Sequence, residues 1–237
     1  MKWKPLQSRL AGARLRDLAP LLWLFTAALA VFAFLKLGSE MIEGETHAFD
    51  LALLQTLRMP GRPDVPIGPP WLAQVAQDIT SLGSLAVLSL VLLGSVGFLA
   101  MTRKWRDAIA LVLAVPGGLL ISTVLKAHYE RPRPDLVPEA VAHLNASFPS
   151  GHAMLSAVTY LTLAALLART QRDMHVRAYL FVLAITATML VGLTRVYLGL
   201  HWPSDVLGGW CMGAAWAIFS RLLADWAPRL ARWTNRA

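Results

Sequence analysis

Three stretches of this chain carry residues whose types and spacing suit chemistry on an anion. They run from Lys126 to Pro134, from Phe148 to His152, and from Thr194 to Asp205. Arg133 and Arg195 each offer a planar fork able to grip two phosphate oxygens, and Lys126 adds a compact point charge. The Ser150-Gly151-His152 turn opens a helix, where backbone N–H groups and the helix dipole favour an anion. His201 and Asp205 are four positions apart, so a helix beginning near Trp202 places them on one face. The carboxylate then binds one ring nitrogen and leaves the other open. Anchoring to headgroups explains a single Lys or Arg at a helix end. It does not explain two histidines, an aspartate four residues after one of them, and a Pro-Ser-Gly turn.

Bringing residues so far apart together is the task of the elements between them. Apolar residues make up 56% of the 237 positions and charged residues 15%, a balance that points to membrane. Uncharged windows run through Leu21–Leu35, Leu82–Met101, Ala108–Leu125, Ala153–Ala168, Ala178–Thr194 and Val206–Ser220. At about 1.5 Å per residue, these windows with their flanks cross a hydrocarbon core of about 30 Å. The expectation is an all-α polytopic membrane protein. Its six transmembrane helices lie at approximately 20–37, 81–101, 107–126, 152–168, 178–197 and 204–223, in a single domain over 1–237.

The net charge of +8 does not indicate nucleic acid, because the basic residues collect in short segments between spans instead of forming one stripe. Lys2, Lys4, Arg9, Arg14 and Arg16 precede the first span. Arg103, Lys104 and Arg106 follow the second, Arg169, Arg172 and Arg177 the fourth, and Arg221, Arg229, Arg232 and Arg236 the sixth. The positive-inside rule puts these regions and both termini in the cytoplasm, and the three chemical stretches on the opposite face. A cleaved signal peptide ending near Ala28-Leu29-Ala30 is the competing reading of the first span, but that apolar run begins late. Cys211 is the sole cysteine and sits within a predicted span, so neither a disulfide framework nor a cysteine metal site is available.

The outer segment between the first two spans is expected to be helical. Phe49, Leu53 and Leu57 fall at helical spacing, as do Leu72, Val75, Ala76 and Ile79, with Pro60, Pro63, Pro66, Pro69 and Pro70 between them. Two short helices joined by a proline-rich turn are predicted, packing on the outer ends of the spans or, with Trp71, shaping a lipid entrance at the interface. Gly209 and Gly213 have the spacing of close helix packing.

The three stretches resemble the type 2 phosphatidic acid phosphatase (PAP2) superfamily, whose signatures are Lys-x6-Arg-Pro, Pro-Ser-Gly-His and Ser-Arg-x5-His-x3-Asp. Lys126 with Arg133-Pro134 meets the first, Pro149-Ser150-Gly151-His152 the second, and Arg195, His201 and Asp205 the third. Thr194 stands where the family has serine and keeps a hydroxyl. Arg131-Pro132 repeats the dipeptide of the first signature two residues early, but Arg133 has the family's spacing. The resemblance implies that His201 is a nucleophile forming a phosphohistidine and that Asp205 orients its ring. His152 protonates the departing oxygen and then activates water. Lys126, Arg133, Ser150, Gly151 and Arg195 hold the phosphate.

The reaction implied is hydrolysis of a membrane lipid phosphate or pyrophosphate of the phosphatidic acid, phosphatidylglycerol phosphate or undecaprenyl pyrophosphate class, with lipid A chemistry a further member. No metal and no cofactor are expected, since the outer face supplies cations where a metallophosphatase needs a carboxylate and histidine cluster. A lipid transporter or noncatalytic lipid-binding protein is the alternative, and it needs no histidine nucleophile. Ala-, Leu- and Arg-rich usage points to a bacterial inner membrane. His47, His128, His143 and His175 match no signature, and Glu130 and Asp135 read as solvated loop carboxylates.

Overall fold

The computed structural model describes residues 6–136 and 146–234; His143, Lys2, Lys4 and Arg236 lie outside them. The order is α1 (Leu6–Ile42), α2 (Thr46–Thr56), β1 (Arg58–Met59), β2 (Arg62–Pro66), α3 (Pro70–Ser81), α4 (Leu85–Met101), α5 (Trp105–Tyr129), α6 (Gly151–Thr170), α7 (Met174–Tyr197) and α8 (Pro203–Thr234).

Among the described residues, five helical stretches are long and apolar enough to cross a membrane: Pro20–Ile42, Trp105–Tyr129, Gly151–Thr170, Met174–Tyr197 and Pro203–Trp226. A sixth arises if α3 and α4, which meet at a 41° bend, count as one broken span. Ser84 explains how α4 starts afresh there, because its Oγ caps the helix by accepting the Val87 N–H at 3.3 Å. The Tyr160 hydroxyl of α6 secures the corner by donating to the Leu82 carbonyl at 2.6 Å.

The bundle is greasy outside, and small and polar residues are frequent where its helices meet, as expected in a bilayer. Leu90, Leu93, Phe98, Leu120 and Val182 face outward, while Ser156, Thr159 and Thr162 of α6 are buried. The apolar window of α6 is 61% buried, against 17–39% for the other four spans, which makes it the central helix. Its approach to α8 depends on the two expected glycines. An added Cβ at Gly209 would come within 2.7 Å of the Ser150 carbonyl oxygen, and one at Gly213 within 2.6 Å of that of Met154. Trp216 of α8 lies against Gly117 of α5 and donates its indole N–H to Ala114 at 2.8 Å.

The outer segment corrects the all-helical expectation. Helices α2 and α3 are present, but the linker between them is a two-stranded antiparallel hairpin, β1 with β2. Prolines 60, 63 and 66 exclude a helix here, and Gly61 supplies the positive φ of 75° that the turn needs. The facing of α2 also differs from a simple apolar stripe. Phe49 and Leu53 are exposed, whereas Thr46, Asp50 and Leu54 are buried, so the helix turns an apolar side outward and a carboxylate inward.

The hairpin is stapled to the end of α7. Arg58 Nη2 donates to the Val196 carbonyl at 3.2 Å, and the Tyr197 hydroxyl donates to that of Ile67 at 2.7 Å. At the far end of the bundle, Arg169 of α6 lies 3.6 Å from both Asp107 of α5 and Asp225 of α8. The C-terminal ends of α5 and α7 thus gather with the N-terminal ends of α6 and α8 at one pole, where the three chemical stretches lie.

Candidate active site

Helix α5 stops at Tyr129 because Glu130 takes a left-handed conformation, φ 43°, and the Arg131-Pro132-Arg133-Pro134 run that follows cannot continue a helix. Lys126, in the last turn of α5, donates from Nζ to the Ala146 carbonyl at 2.5 Å. Its chain passes Gly151, where an added Cβ would lie 3.7 Å from Lys126 Cε. The Ser150 N–H donates to the Asp205 carbonyl at 2.9 Å, tying the start of α6 to the start of α8. Ser150 Oγ is buried without a hydrogen-bond partner among the described residues.

Helix α8 begins with Pro203, whose missing N–H costs nothing at a first helical position. Asp205 reaches back to accept the Trp202 N–H at 2.9 Å through Oδ2, a capping-box contact. The same oxygen accepts the Ser147 hydroxyl and stands 3.3 Å from His201 Nδ1. His201 is 1% exposed and Asp205 0%. The far ring nitrogen, Nε2, lies 3.3 Å from Arg133 Nη1, which also donates to the Leu200 carbonyl at 2.8 Å. The geometry suits a proton on Nδ1 and a lone pair on Nε2. Burial pushes His201 down to about 3, overriding the opposing pull of Asp205, so the ring is neutral at physiological pH. Burial also lowers Arg133 from the ordinary arginine value.

His152 is half-buried at the first turn of α6, where the charges of Arg195, Arg133 and Lys126 all reach it. Lys126 lies in the fields of Arg133, Asp205 and Arg195. Arg195, in the last turn of α7, is 9% exposed, and its Nε has no hydrogen-bond partner among the described residues. The eight expected site residues therefore converge. Thr194 is different: its hydroxyl donates to the Val191 carbonyl at 2.8 Å and is committed to its own helix. His47, His128, His175, Glu130 and Asp135 are exposed.

Beside Lys126, Arg133 and Gly151 opens a cavity of about 620 Å³, lined also by Leu119, Thr123 and Leu155. Cations and apolar side chains lining one cavity suit a phosphate attached to a lipid. Among the described residues no three His, Cys, Asp or Glu side chains gather where they could hold a metal ion.

Sequence reasoning missed Arg131, Asp50, Ser147 and Ser204. Arg131 Nη1 donates to Asp205 Oδ1 and Ser204 Oγ, both at 2.7 Å, and its Nη2 to Asp50 Oδ2 at 2.6 Å. Two signals point to Asp50 and Arg131: a carboxylate three positions before Leu53 on a short apolar helix, and a second arginine in Arg-Pro-Arg-Pro.

The family model of the PAP2 superfamily matches residues 107–229. Phosphatidylglycerophosphatase B of Bacillus subtilis is 36% identical over 146 residues, which is 61% of this chain and 71% of that protein. Undecaprenyl-diphosphatase of Sulfolobus acidocaldarius is 32% identical over 47% of this chain and 48% of its own length. The crystal structure of the PAP2-type phosphatidylglycerolphosphate phosphatase from Bacillus subtilis superposes with a TM-score of 0.75. It covers 83% of this chain and 94% of that one at 29% identity.

Proposed function

We infer the reaction from one premise: this chain belongs to the PAP2 superfamily of membrane phosphatases. It hydrolyses a membrane lipid phosphate or pyrophosphate, without a metal, through a phosphohistidine on His201. The observation that carries this reading is the held imidazole, with Asp205 at Nδ1 and an arginine at Nε2.

Phosphoryl transfer spreads charge over three equatorial oxygens while entering and leaving atoms stay in line, so positioning and neutralisation do most of the work. Lys126, Arg133, Arg195, the Ser150 hydroxyl and the first N–H groups of α6 supply both. His201 Nε2 attacks phosphorus, the bond to the lipid oxygen breaks, and His152 delivers a proton to that oxygen. The phosphorylated ring, protonated at Nδ1, is cationic and faces the Asp205 carboxylate. Water then attacks phosphorus and gives its proton to His152. The N–P bond breaks and inorganic phosphate leaves.

The chain forms one domain of six spans, with α3 and α4 as a single broken one. An even number of spans puts both termini on one side, and the basic pole with Arg103, Arg169 and Arg177 makes that side cytoplasmic. The site then faces outward across a bacterial inner membrane. Phosphatidylglycerol phosphate leads the candidate substrates, on the 36% identity to a phosphatidylglycerophosphatase.

The test is phosphate release by purified protein from a panel of lipid monophosphates and pyrophosphates, with and without exhaustive chelation. Wild type releases phosphate in both conditions and His201→Ala does not. Release by His201→Ala, or loss on chelation restored by a divalent ion, overturns the reading.

A further inference from the structure

We propose that Asp50 and Arg131 are positioning residues for the His201–Asp205 pair, acting through a buried carboxylate–guanidinium–carboxylate bridge that makes outer helix α2 part of the catalytic apparatus. The proposal rests on the reading of His201 as nucleophile.

The bridge is fully inside the protein: Asp50 and Asp205 are 0% exposed and Arg131 9%. Both terminal nitrogens of Arg131 are committed, Nη1 to Asp205 Oδ1 and Ser204 Oγ, and Nη2 to Asp50 Oδ2. Asp50 is equally engaged. Its Oδ1 accepts the Ser204 N–H at 2.9 Å and its Oδ2 the Ser204 hydroxyl at 2.5 Å. Ser204 is in the first turn of α8, so Asp50 caps from outside the helix that carries Asp205. Trp202 seals the bridge, with Arg131 Cζ 5.4 Å from its ring centroid and its indole N–H donating to the Pro132 carbonyl at 3.0 Å.

The bridge has a defined electrostatic consequence. Asp205 Oδ1 is held by Arg131, which leaves Oδ2 turned to His201 Nδ1. The guanidinium also separates two buried carboxylates. Without it Asp205 would lose its buried counter-charge beside a second carboxylate, which favours its protonated form. A protonated Asp205 no longer fixes the His201 tautomer. Arg131 differs here from Arg133 and Arg195, which lie at the His201 Nε2 side and in the field of His152.

The experiment measures kcat and KM for phosphate release from phosphatidic acid in mixed micelles across pH 6–9. It compares wild type, Asp50→Asn, Arg131→Met, the double variant and His201→Ala. Arg131→Met is expected to lose about 100-fold in kcat, the upper end for outer partners of a functional histidine, with KM within about twofold. That loss shrinks toward high pH, where Asp205 regains its charge. Asp50→Asn loses about tenfold, and the double variant regains part of the Arg131→Met loss because only one carboxylate remains. If Arg131→Met is not monodisperse, Arg131→Lys replaces it; a lysine keeps the charge without the fork and falls between wild type and the predicted loss.

A raised KM at unchanged kcat would make Arg131 a substrate ligand and overturn the proposal. So would a pH-independent loss with no recovery in the double variant, which marks a purely structural bridge. Wild-type turnover by Asp50→Asn and Arg131→Met beside an inactive His201→Ala sinks the bridge alone, whereas an active His201→Ala sinks the parent reading.

Discussion

Asp205 Oδ2 stands 3.3 Å from His201 Nδ1, and both side chains are essentially excluded from solvent. This one contact decides which ring nitrogen keeps the lone pair. A carboxylate that also accepts the Ser147 hydroxyl and the Trp202 N–H is held as a pure acceptor, so the proton belongs on Nδ1 and Nε2 faces Arg133.

Asp205→Asn therefore inverts the hydrogen-bond logic, since an amide can present donors where only an acceptor fits. Turnover is expected to fall by about 10⁴-fold, the scale on which an orienting aspartate matters in a Ser-His-Asp triad. Steady-state kinetics check it: the loss lies in kcat with KM little changed. An activity within tenfold of wild type would show that the carboxylate does not set the tautomer.

Ser150→Ala separates function from stability. The hydroxyl is buried with no partner among the described residues, and an unsatisfied buried group costs about 1–3 kcal/mol. The variant is expected to melt at or above the wild-type temperature in detergent while releasing phosphate more slowly. A variant that is less stable yet fully active contradicts a phosphate-facing hydroxyl.

Gly213→Ala tests the seam between α6 and α8. The added methyl would lie 2.6 Å from the Met154 carbonyl oxygen, so the helices must part, at about 1–3 kcal/mol. A lower melting temperature is expected, measured in the same detergent against Gly94→Ala, where an added Cβ meets nothing within 4 Å. Equal melting of the two variants would contradict the packing account.

The helices were legible because apolar windows and basic gaps follow from bilayer thickness and from the cost of charge inside it. All eight residues expected at the site converge because their signatures sit at helix ends. The hairpin was less legible, since prolines mark where a helix cannot form but not which turn replaces it. The inward face of α2 was not legible for a physical reason: beside a membrane, an apolar stripe such as Phe49 and Leu53 turns outward, and the carboxylate of Asp50 turns in. Arg131 read as a duplicate of Arg133 because spacing alone does not reveal which arginine has a buried carboxylate partner.

Acidification should expose the burial of His201. Its folded value of about 3 lies below the ordinary histidine value of about 6.5. Below that value the unfolded chain binds a proton that the folded chain refuses. Stability present above about pH 6.5 is then lost as pH falls toward the folded value, by up to about 1.4 kcal/mol per pH unit from this group. Melting temperatures from pH 7.5 to 4.5 should decline less steeply in His201→Gln than in wild type. A steeper decline in the variant would mean that the ring is protonated in the folded protein.

The central claim is a covalent bond between His201 Nε2 and phosphorus, and rapid quench of the enzyme with ³²P-labelled lipid phosphate tests it most directly. The account predicts radiolabel on the wild-type protein that survives alkali, is lost in acid, and is absent from His201→Ala. Turnover with no labelled protein at any quench time, or equal labelling of His201→Ala, would contradict it.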